Sequence, residues 1–420
     1  MEHITREDGY HLHLLHTKKF KTLHICLKFV APLERNSITK RALIPYILQQ
    51  GTAEYPNAIE LRQQLDLLYG AVLHIDGSKK GEHHITTVRL EIANEQYIAN
   101  QSHIIDDAVQ LLKEIIYHPK VENGAFDSNV VEREKQTLLQ KIRALKEDKI
   151  SLANTRLIEE MCEGEPYHLR VHGYEEDLAD LSAGELYNYY QQMLAEDQLD
   201  VYVVGDIENM NMKNKIAQLI SKERQSSIVK TDPTVPERPS DTIVEKDQVQ
   251  QAKLHFGYRT GITYDDPNYA ALHVFNGIFG GFPSSKLFTN VREKHSLAYY
   301  AASRLESHKG LLFVFSGIAP DQYDRARDII LEQMEQMRKG EFSEDDIAET
   351  KEMAINQLKE TLDNPQGMIE LHYQKVIGQS DKNVEQLIKE IQQVTKQHII
   401  QVAEAIQLDK VYLLTSEEAE

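Results

Sequence analysis

The sequence predicts an α+β fold made of two homologous α/β domains, each a mostly antiparallel sheet packed against helices. Three observations lead to this fold class. Strand-like and helix-like patterns alternate along the 420 residues. A proline-rich stretch with little periodicity, residues 226–242, divides the chain. Motifs of the first part recur in the same order in the second part, which indicates duplication of a whole domain.

The first part begins with two alternating stretches of polar and apolar residues. They are GYHLHLLHT (9–17) and TLHICLKFVAPL (22–33), with the basic pair Lys18-Lys19 between them. Alternation of this kind is typical of half-buried strands, so we expect a hairpin here. Apolar residues at helical spacing predict five helices, over 38–50, 57–68, 102–117, 126–147 and 181–194. Strand-like patterns predict three more strands, at 71–76, 83–93 and 200–207.

The repeat appears as short matches in the same order. Leu23-His24 returns as Leu254-His255, Gly51 as Gly281 and Tyr69 as Tyr299. In each copy a strand leads to a helix that ends near glycine, then to another helix and another strand. We therefore expect an N-terminal domain over 1–225, a linker over 226–242 and a C-terminal domain over 243–420.

Composition limits the classes of partner. Lys and Arg number 47 against 66 Asp and Glu, which gives a net charge of −19. An acidic chain of this kind is a poor ligand for nucleic acid or an anionic membrane, so we expect neither as a partner. The polar start MEHITREDGY and the absence of long apolar runs predict no leader and no membrane span. Only Cys26 and Cys162 are present, which suits the reducing cytoplasm.

The most specific local pattern is LFTNVREKHSLAYY, residues 287–300. We expect a helix to end near His295 and a strand to begin at Leu297. Arg292 offers a planar fork of donors for a carbonyl or carboxylate, and the hydroxyl of Tyr299 can donate to a developing oxyanion. The residues alone also allow a structural role, with Arg292 paired to an acid and Tyr299 half-buried in a sheet.

The chain resembles the pitrilysin/insulinase family of zinc peptidases, the inverzincins, over nearly its full length. The similarity lies in PYH (166–168), VVGDIE (203–208), the proline-rich stretch and GIFGGFPSSKLFTNVREKHSLAYY (277–300). The resemblance implies the metalloprotease LuxS/MPP-like fold. It also implies that Arg292 and Tyr299 are the arginine and tyrosine with which the family's second half assists catalysis.

Active members of that family carry H-x-x-E-H on a helix that ends in Gly-Thr. The matching stretch here is RALIPYILQQGT, residues 41–52. With Gly-Thr aligned, Ala42, Pro45 and Tyr46 replace the histidine, the glutamate and the second histidine, and Lys141 falls at or next to the third zinc ligand. None of these side chains supplies a zinc ligand or a base in the family's manner. We therefore expect no metal, and the resemblance implies no other cofactor.

The resemblance implies a non-catalytic subunit that pairs with a zinc-bearing peptidase and gives it Arg292 and Tyr299 in trans. An extended peptide substrate would add as a strand to AVLHIDG (71–77), through Ala71, Val72 and Leu73. The glycine-rich segment of non-catalytic processing-peptidase subunits, which helps to capture peptides, corresponds to Gly280 and Gly281. Two alternatives stay open: a peptide-binding or scaffold homodimer without proteolysis, and an independent hydrolase with an unrecognised site.

Overall fold

The computed structural model describes residues 2–99, 103–220, 224 and 240–417, and the side chains from residue 4 onward within them. Most of the predicted linker, residues 226–239, lies outside the described residues. The chain forms two compact units, Met1–Ala144 with Leu169–Asp232, and Leu145–His168 with Pro233–Glu420. The segment 145–168, which sequence reasoning assigned to the N-terminal domain, therefore packs with the second unit.

Up to residue 220, the described residues form all ten predicted strands and helices and six more that the sequence patterns did not predict. The strands are β1 (Glu2–Glu7), β2 (Tyr10–His16), β3 (Thr22–Pro32), β4 (Val72–Lys80), β5 (His83–Ala93), β6 (Val121–Glu122), β7 (Ala125–Phe126) and β8 (Gln198–Gly205). The helices are α1 (Ile38–Leu48), α2 (Ala58–Leu67), α3 (Ile104–Tyr117), α4 (Ser128–Glu147), α5 (Lys149–Met161), α6 (Glu175–Asp180), α7 (Ala183–Glu196) and α8 (Met212–Leu219).

The first unit has a six-stranded sheet in the order β1-β2-β8-β3-β5-β4. Only β2 and β8 run parallel; the other neighbours are antiparallel. The predicted hairpin between residues 9–17 and 22–33 is wrong, because β8 lies between β2 and β3. The alternating pattern gives the strands but not their neighbours, and β8 comes from a distant part of the chain.

The described residues of the second unit form five further strands and six further α-helices. The strands are β9 (Asp241–Lys246), β10 (Ala252–Arg259), β11 (Ala298–Glu306), β12 (Leu311–Ile318) and β13 (Gln407–Thr415). The helices are α9 (Tyr269–Asn276), α10 (Tyr323–Arg338), α11 (Glu344–Thr361), α12 (Pro365–Ile377), α13 (Val384–Gln393) and α14 (Lys396–Ala405), with π-helical segments at Gly277–Gly281 and Leu287–Lys294.

The strand orders of the two sheets carry the mark of a duplication. The second sheet runs β11-β12-β10-β13-β9, and only β13 and β9 are parallel. Read from β4, the first sheet runs β4-β5-β3-β8-β2, with its parallel pair in the same place. Each sheet also packs on its own apolar cluster. The predicted α+β class with mostly antiparallel sheets on helices is confirmed.

Helix α5 explains the assignment of residues 145–168. It packs against β10 and β13 of the second unit. A Cβ built on Gly257 in β10 would lie 2.5 Å from the sulfur of Met161 in α5, so glycine permits this close packing.

Within the described ranges, no helix combines the length and the apolar composition needed to cross a bilayer.

Candidate functional site

Helix α1 carries three of the four positions at which the family's zinc residues are replaced. Apolar side chains such as Leu43 and Ile44 pack its inner face into the core of the first unit. Ala42 is 6% exposed, Pro45 is buried and Tyr46 is half-buried. Pro45 lies inside the helix and has no N–H to donate to the carbonyl one turn earlier. The helix persists because its apolar packing outweighs this missing bond.

Helix α4 lies beside the end of α1. Nη2 of Arg133 donates to Oε1 of Gln50 at 2.8 Å, and its Nε donates to Oε1 of the buried Glu134 at 2.8 Å. Burial raises the pKa of the Tyr46 phenol, and the carboxylate of Glu134 raises it further. A carboxylate thus remains next to Tyr46, but its neighbour is a phenol instead of an imidazole.

Lys141 lies two turns farther along α4 and is exposed. Burial lowers the pKa of His172, and the ammonium of Lys141 lowers it further. The next residue, Gly173, has a φ of +70°, and a Cβ there would lie 2.5 Å from Oγ1 of Thr39 near the start of α1. Lys141, the fourth replaced position, therefore places a cation on α4 close to His172, whose neighbour Gly173 packs on the start of α1.

The residues present do not fit a zinc ion. A methyl group, a proline ring, a phenol and an ammonium replace two imidazoles, a base and a carboxylate. Among the residues that the structure describes, no group of three or more His, Cys, Asp or Glu side chains is arranged to hold a metal.

Sequence reasoning missed Arg41, the residue before Ala42. Its side chain is fully buried. Nε donates to Nδ1 of His84 at 3.0 Å, and Nη2 donates to Oδ2 of Asp197 at 2.8 Å. Burial by itself would lower the pKa of Arg41, but the carboxylate of Asp197 outweighs it and raises the pKa. An arginine within an apolar helix is the signal that could have indicated a buried partner.

His84 is neutral in this arrangement. Arginine can only donate, so Nδ1 of His84 must accept and carry no proton. Burial lowers the pKa of His84 well below its ordinary value, and the Arg41 guanidinium lowers it further. The polar side chain on α1 is thus Arg41, which binds His84 of the sheet, and not a set of zinc ligands.

Strand β4 is an edge strand, as the proposed peptide site requires. Val72 is 44% exposed, whereas Leu73 is half-buried. Ala71 is buried, and its N–H donates to the carbonyl of Leu65 at the end of α2, 2.9 Å away. The side chains of Val72 and Leu73 are therefore accessible to a ligand, whereas the backbone N–H of Ala71 is already hydrogen-bonded within the chain.

Arg292 and Tyr299 are exposed at one junction of helix and strand in the second unit. Arg292 lies on the π-helical segment Leu287–Lys294, with its guanidinium 4.5 Å from the ring centre of Phe288. Tyr299 is 70% exposed near the start of β11, an edge strand of the second sheet. The structure gives neither side chain a hydrogen bond or an ion pair with any other described residue. Both polar groups are thus available to a ligand.

The two glycines assigned to peptide capture lie at the end of a π-helical segment, not in an open loop. Gly280 is buried, and a Cβ there would lie 2.6 Å from Oγ of Ser303 in β11. Close packing of the helix on this strand explains that glycine. Gly281 is exposed and remains accessible.

Comparisons with known proteins give a consistent result. A family model described as the peptidase M16 inactive domain matches residues 180–354, which include Arg292 and Tyr299. A Bacillus subtilis (strain 168) protein described as probable inactive metalloprotease YmfF is 44% identical over 415 residues, covering 99% of this chain and 97% of the relative.

Solved structures show the same likeness. A conserved protein from Enterococcus faecalis V583 matches with a TM-score of 0.90 and 34% identity, covering 100% of this chain and 99% of that chain. A peptidase M16 inactive domain from Pseudomonas fluorescens matches with a TM-score of 0.81 and 16% identity, covering 100% and 99%, which shows similarity of fold.

Proposed function

Because the chain belongs to the pitrilysin/insulinase (M16) family as an inactive metalloprotease homologue, we propose that it is the peptide-binding subunit of a two-chain peptidase. A second, zinc-bearing family member supplies the metal and the attacking water. This chain supplies Arg292 and Tyr299 and helps to hold an extended peptide. The bound complex processes peptides in the cytoplasm.

The exposure of Arg292 and Tyr299 is the observation that carries this proposal. Structural residues at such a junction would be paired or covered, whereas these two polar groups reach solvent without a hydrogen bond or ion pair to any described residue. A guanidinium fork and a phenol are suited to a peptide carbonyl that develops negative charge. The replaced positions on α1 and α4 cannot provide the rest of such a site, so the missing half must come from another chain.

Peptide capture is supported by the free edge of β4. An extended peptide can continue a sheet by backbone hydrogen bonds, with alternate side chains in contact with the protein. Val72 and Leu73 lie at the start of this edge, and the side chain of Val72 is exposed there. The acidic net charge of −19 favours peptides that carry basic residues.

Purification from the native cell tests the pairing. A tagged chain should recover one H-x-x-E-H family member in equal amount, and the mixture should cleave peptides in a chelator-sensitive way while the lone chain does not. Recovery of the chain without such a partner, from cells that express one, would contradict the proposal. Chelator-sensitive cleavage by the lone chain would contradict it equally.

A homodimer that holds peptides without cleaving them is the second candidate. Large apolar side chains are exposed around the end of α2 and the start of β4: Leu67 is 72% exposed and Tyr69 is 51% exposed. Exposed apolar groups next to a free edge suit association with a second copy. Sedimentation of the pure chain decides this point, because a stable self-dimer with no recovered family partner favours the homodimer.

A further inference from the structure

The hydrogen-bonding direction of each residue in β4 follows from the turn that ends it. Lys80 pairs with His83 across the two-residue turn Gly81-Glu82, and Gly81 has a φ of +51°. The pair that closes such a turn exchanges both backbone hydrogen bonds, and these bonds then alternate along the ladder. Ile75, which pairs with Val88, falls in a pair without them. Its N–H and C=O therefore point to the free edge.

Gln49 already occupies that free-edge carbonyl. Its Nε2 donates to the carbonyl oxygen of Ile75 at 3.2 Å and to the carbonyl oxygen of Pro45 at 2.8 Å. Gln49 is the residue at which α1 ends, and its backbone N–H donates to the carbonyl of Ile47. The side-chain amide thus satisfies a carbonyl at the end of the helix and, with its second hydrogen, the middle of the edge strand.

We propose that Gln49 is a plug in the peptide-accepting edge of β4. A peptide strand that adds to this edge must donate its own backbone N–H to Ile75, so the amide of Gln49 has to leave first. Neighbouring outward-pointing residues, Leu73 and Gly77, belong to the same ladder and pair fully only after this displacement. The inference rests on the proposed peptide-binding function and adds the residue that limits it.

The chemistry of the ligand follows from the contact that it replaces. The displacing group must be a hydrogen-bond donor, because only a donor satisfies the Ile75 carbonyl, and in an extended peptide that pairs with this edge the donor is a backbone N–H. A plug of this kind also protects an exposed edge from pairing with unrelated strands. Removal of one competing hydrogen bond should therefore strengthen peptide binding by about three- to tenfold.

The test compares four proteins with one labelled probe, a fluorescein-tagged decapeptide of alternating valine and threonine with a terminal lysine. Gln49→Ala and Gln49→Met both remove the donor, and methionine keeps the length of the side chain. Both should bind the probe about three- to tenfold more tightly than the unaltered chain. Gln110→Ala is the matched control, because Gln110 on α3 donates to Glu114 of its own helix; its affinity should not change.

Hydrogen exchange makes the outcomes separable. Bound peptide should protect the outward-pointing N–H groups of Leu73, Ile75 and Gly77, more strongly in the Gln49 variants. Equal or weaker binding by both variants than by the unaltered chain overturns the plug but leaves peptide capture intact. Absence of both binding and edge protection in every protein overturns peptide capture, and the plug with it.

Discussion

Nη2 of Arg41 donates to Oδ2 of Asp197 at 2.8 Å, and this buried ion pair joins α1 to the residue that precedes β8. Removal of one partner leaves the other charge buried without its counterion. Arg41→Met should therefore lower the free energy of unfolding by about 3–5 kcal/mol. Denaturant unfolding measures the change. Arg62→Met, on the exposed side of α2, is the control and should change it by less than about 0.5 kcal/mol; a similarly small effect of Arg41→Met would show that the pair contributes little.

Pro45 weakens α1, so its removal should stabilise the protein. Proline inside a helix is about 3 kcal/mol less favourable than alanine, although it also restricts the unfolded chain by up to about 1 kcal/mol. Pro45→Ala should raise the free energy of unfolding by about 1–2 kcal/mol, measured by denaturant unfolding. Pro365→Ala is the control, because Pro365 is at the first position of α12, where proline is well tolerated. Equal effects of both substitutions would contradict the argument.

Tyr299→Phe removes one donor from the proposed shared site. In the complex with the zinc-bearing partner, the substitution should lower kcat by about 10²–10³, the usual effect of losing one oxyanion donor. Steady-state peptide cleavage is the measurement. Tyr97→Phe, which loses a hydrogen bond to Asp206 in the first unit, should leave kcat unchanged. An unchanged rate for Tyr299→Phe would eliminate its role in trans.

Restoring the zinc motif requires all four replaced positions. Ala42→His, Pro45→Glu and Tyr46→His together return two imidazoles and a base, yet the ammonium of Lys141 still repels a dication. We expect zinc to bind stoichiometrically only when Lys141→Glu is added, because catalytic sites use three protein ligands. Elemental analysis after dialysis checks this, and tight zinc binding by the triple variant alone would contradict the placement of Lys141.

His255 makes stability depend on pH. Burial lowers its pKa to about 3, with a further effect from Lys253, whereas a histidine in the unfolded chain titrates near 6.5. Between these values only the unfolded chain binds the proton, so the free energy of unfolding falls as the pH decreases below about 6.5. Between pH 7.5 and pH 5.5 the unaltered chain should lose about 1 kcal/mol more than His255→Leu. Denaturant unfolding at both values measures it; parallel losses would show that His255 has the same pKa in the folded and the unfolded chain.

Periodicity predicted five of the strands and five of the helices that the structure shows up to residue 220, but not β1, α5, α6 or α8. The helix expected over 126–147 is α4, and the strand expected over 200–207 is β8, within two residues at each boundary. Strand neighbours were harder, because β8 separates β2 from β3 and no local pattern records a pairing across so much chain. The repeat of Leu23-His24 as Leu254-His255 succeeded because both pairs lie in the same central strand of their sheets, β3 and β10.

The sequence indicated candidate site residues only at positions where the family's catalytic residues are replaced, and at polar residues that the structure leaves exposed. Ala42 and Pro45 are visible as replacements because both lie on α1 and the spacing from them to Gly51-Thr52, just beyond its end, is short. Arg41 and Gln49 were not recognised, because a sequence does not show which way a polar side chain on a helix points. Their partners, Asp197 and Ile75, are brought close only by the folded sheet.

The packing of α5 against β10 and β13 has a consequence for synthesis. The ribosome releases residues 149–161 long before it reaches residue 252, where the first of those two strands begins. The apolar face of the nascent helix therefore stays exposed, or is covered by a transient partner, until β13 has been translated. A chain cut after residue 225 would lack β10 and β13, so the apolar face of α5 would stay exposed. Such truncated chains are therefore candidates for chaperone binding and aggregation.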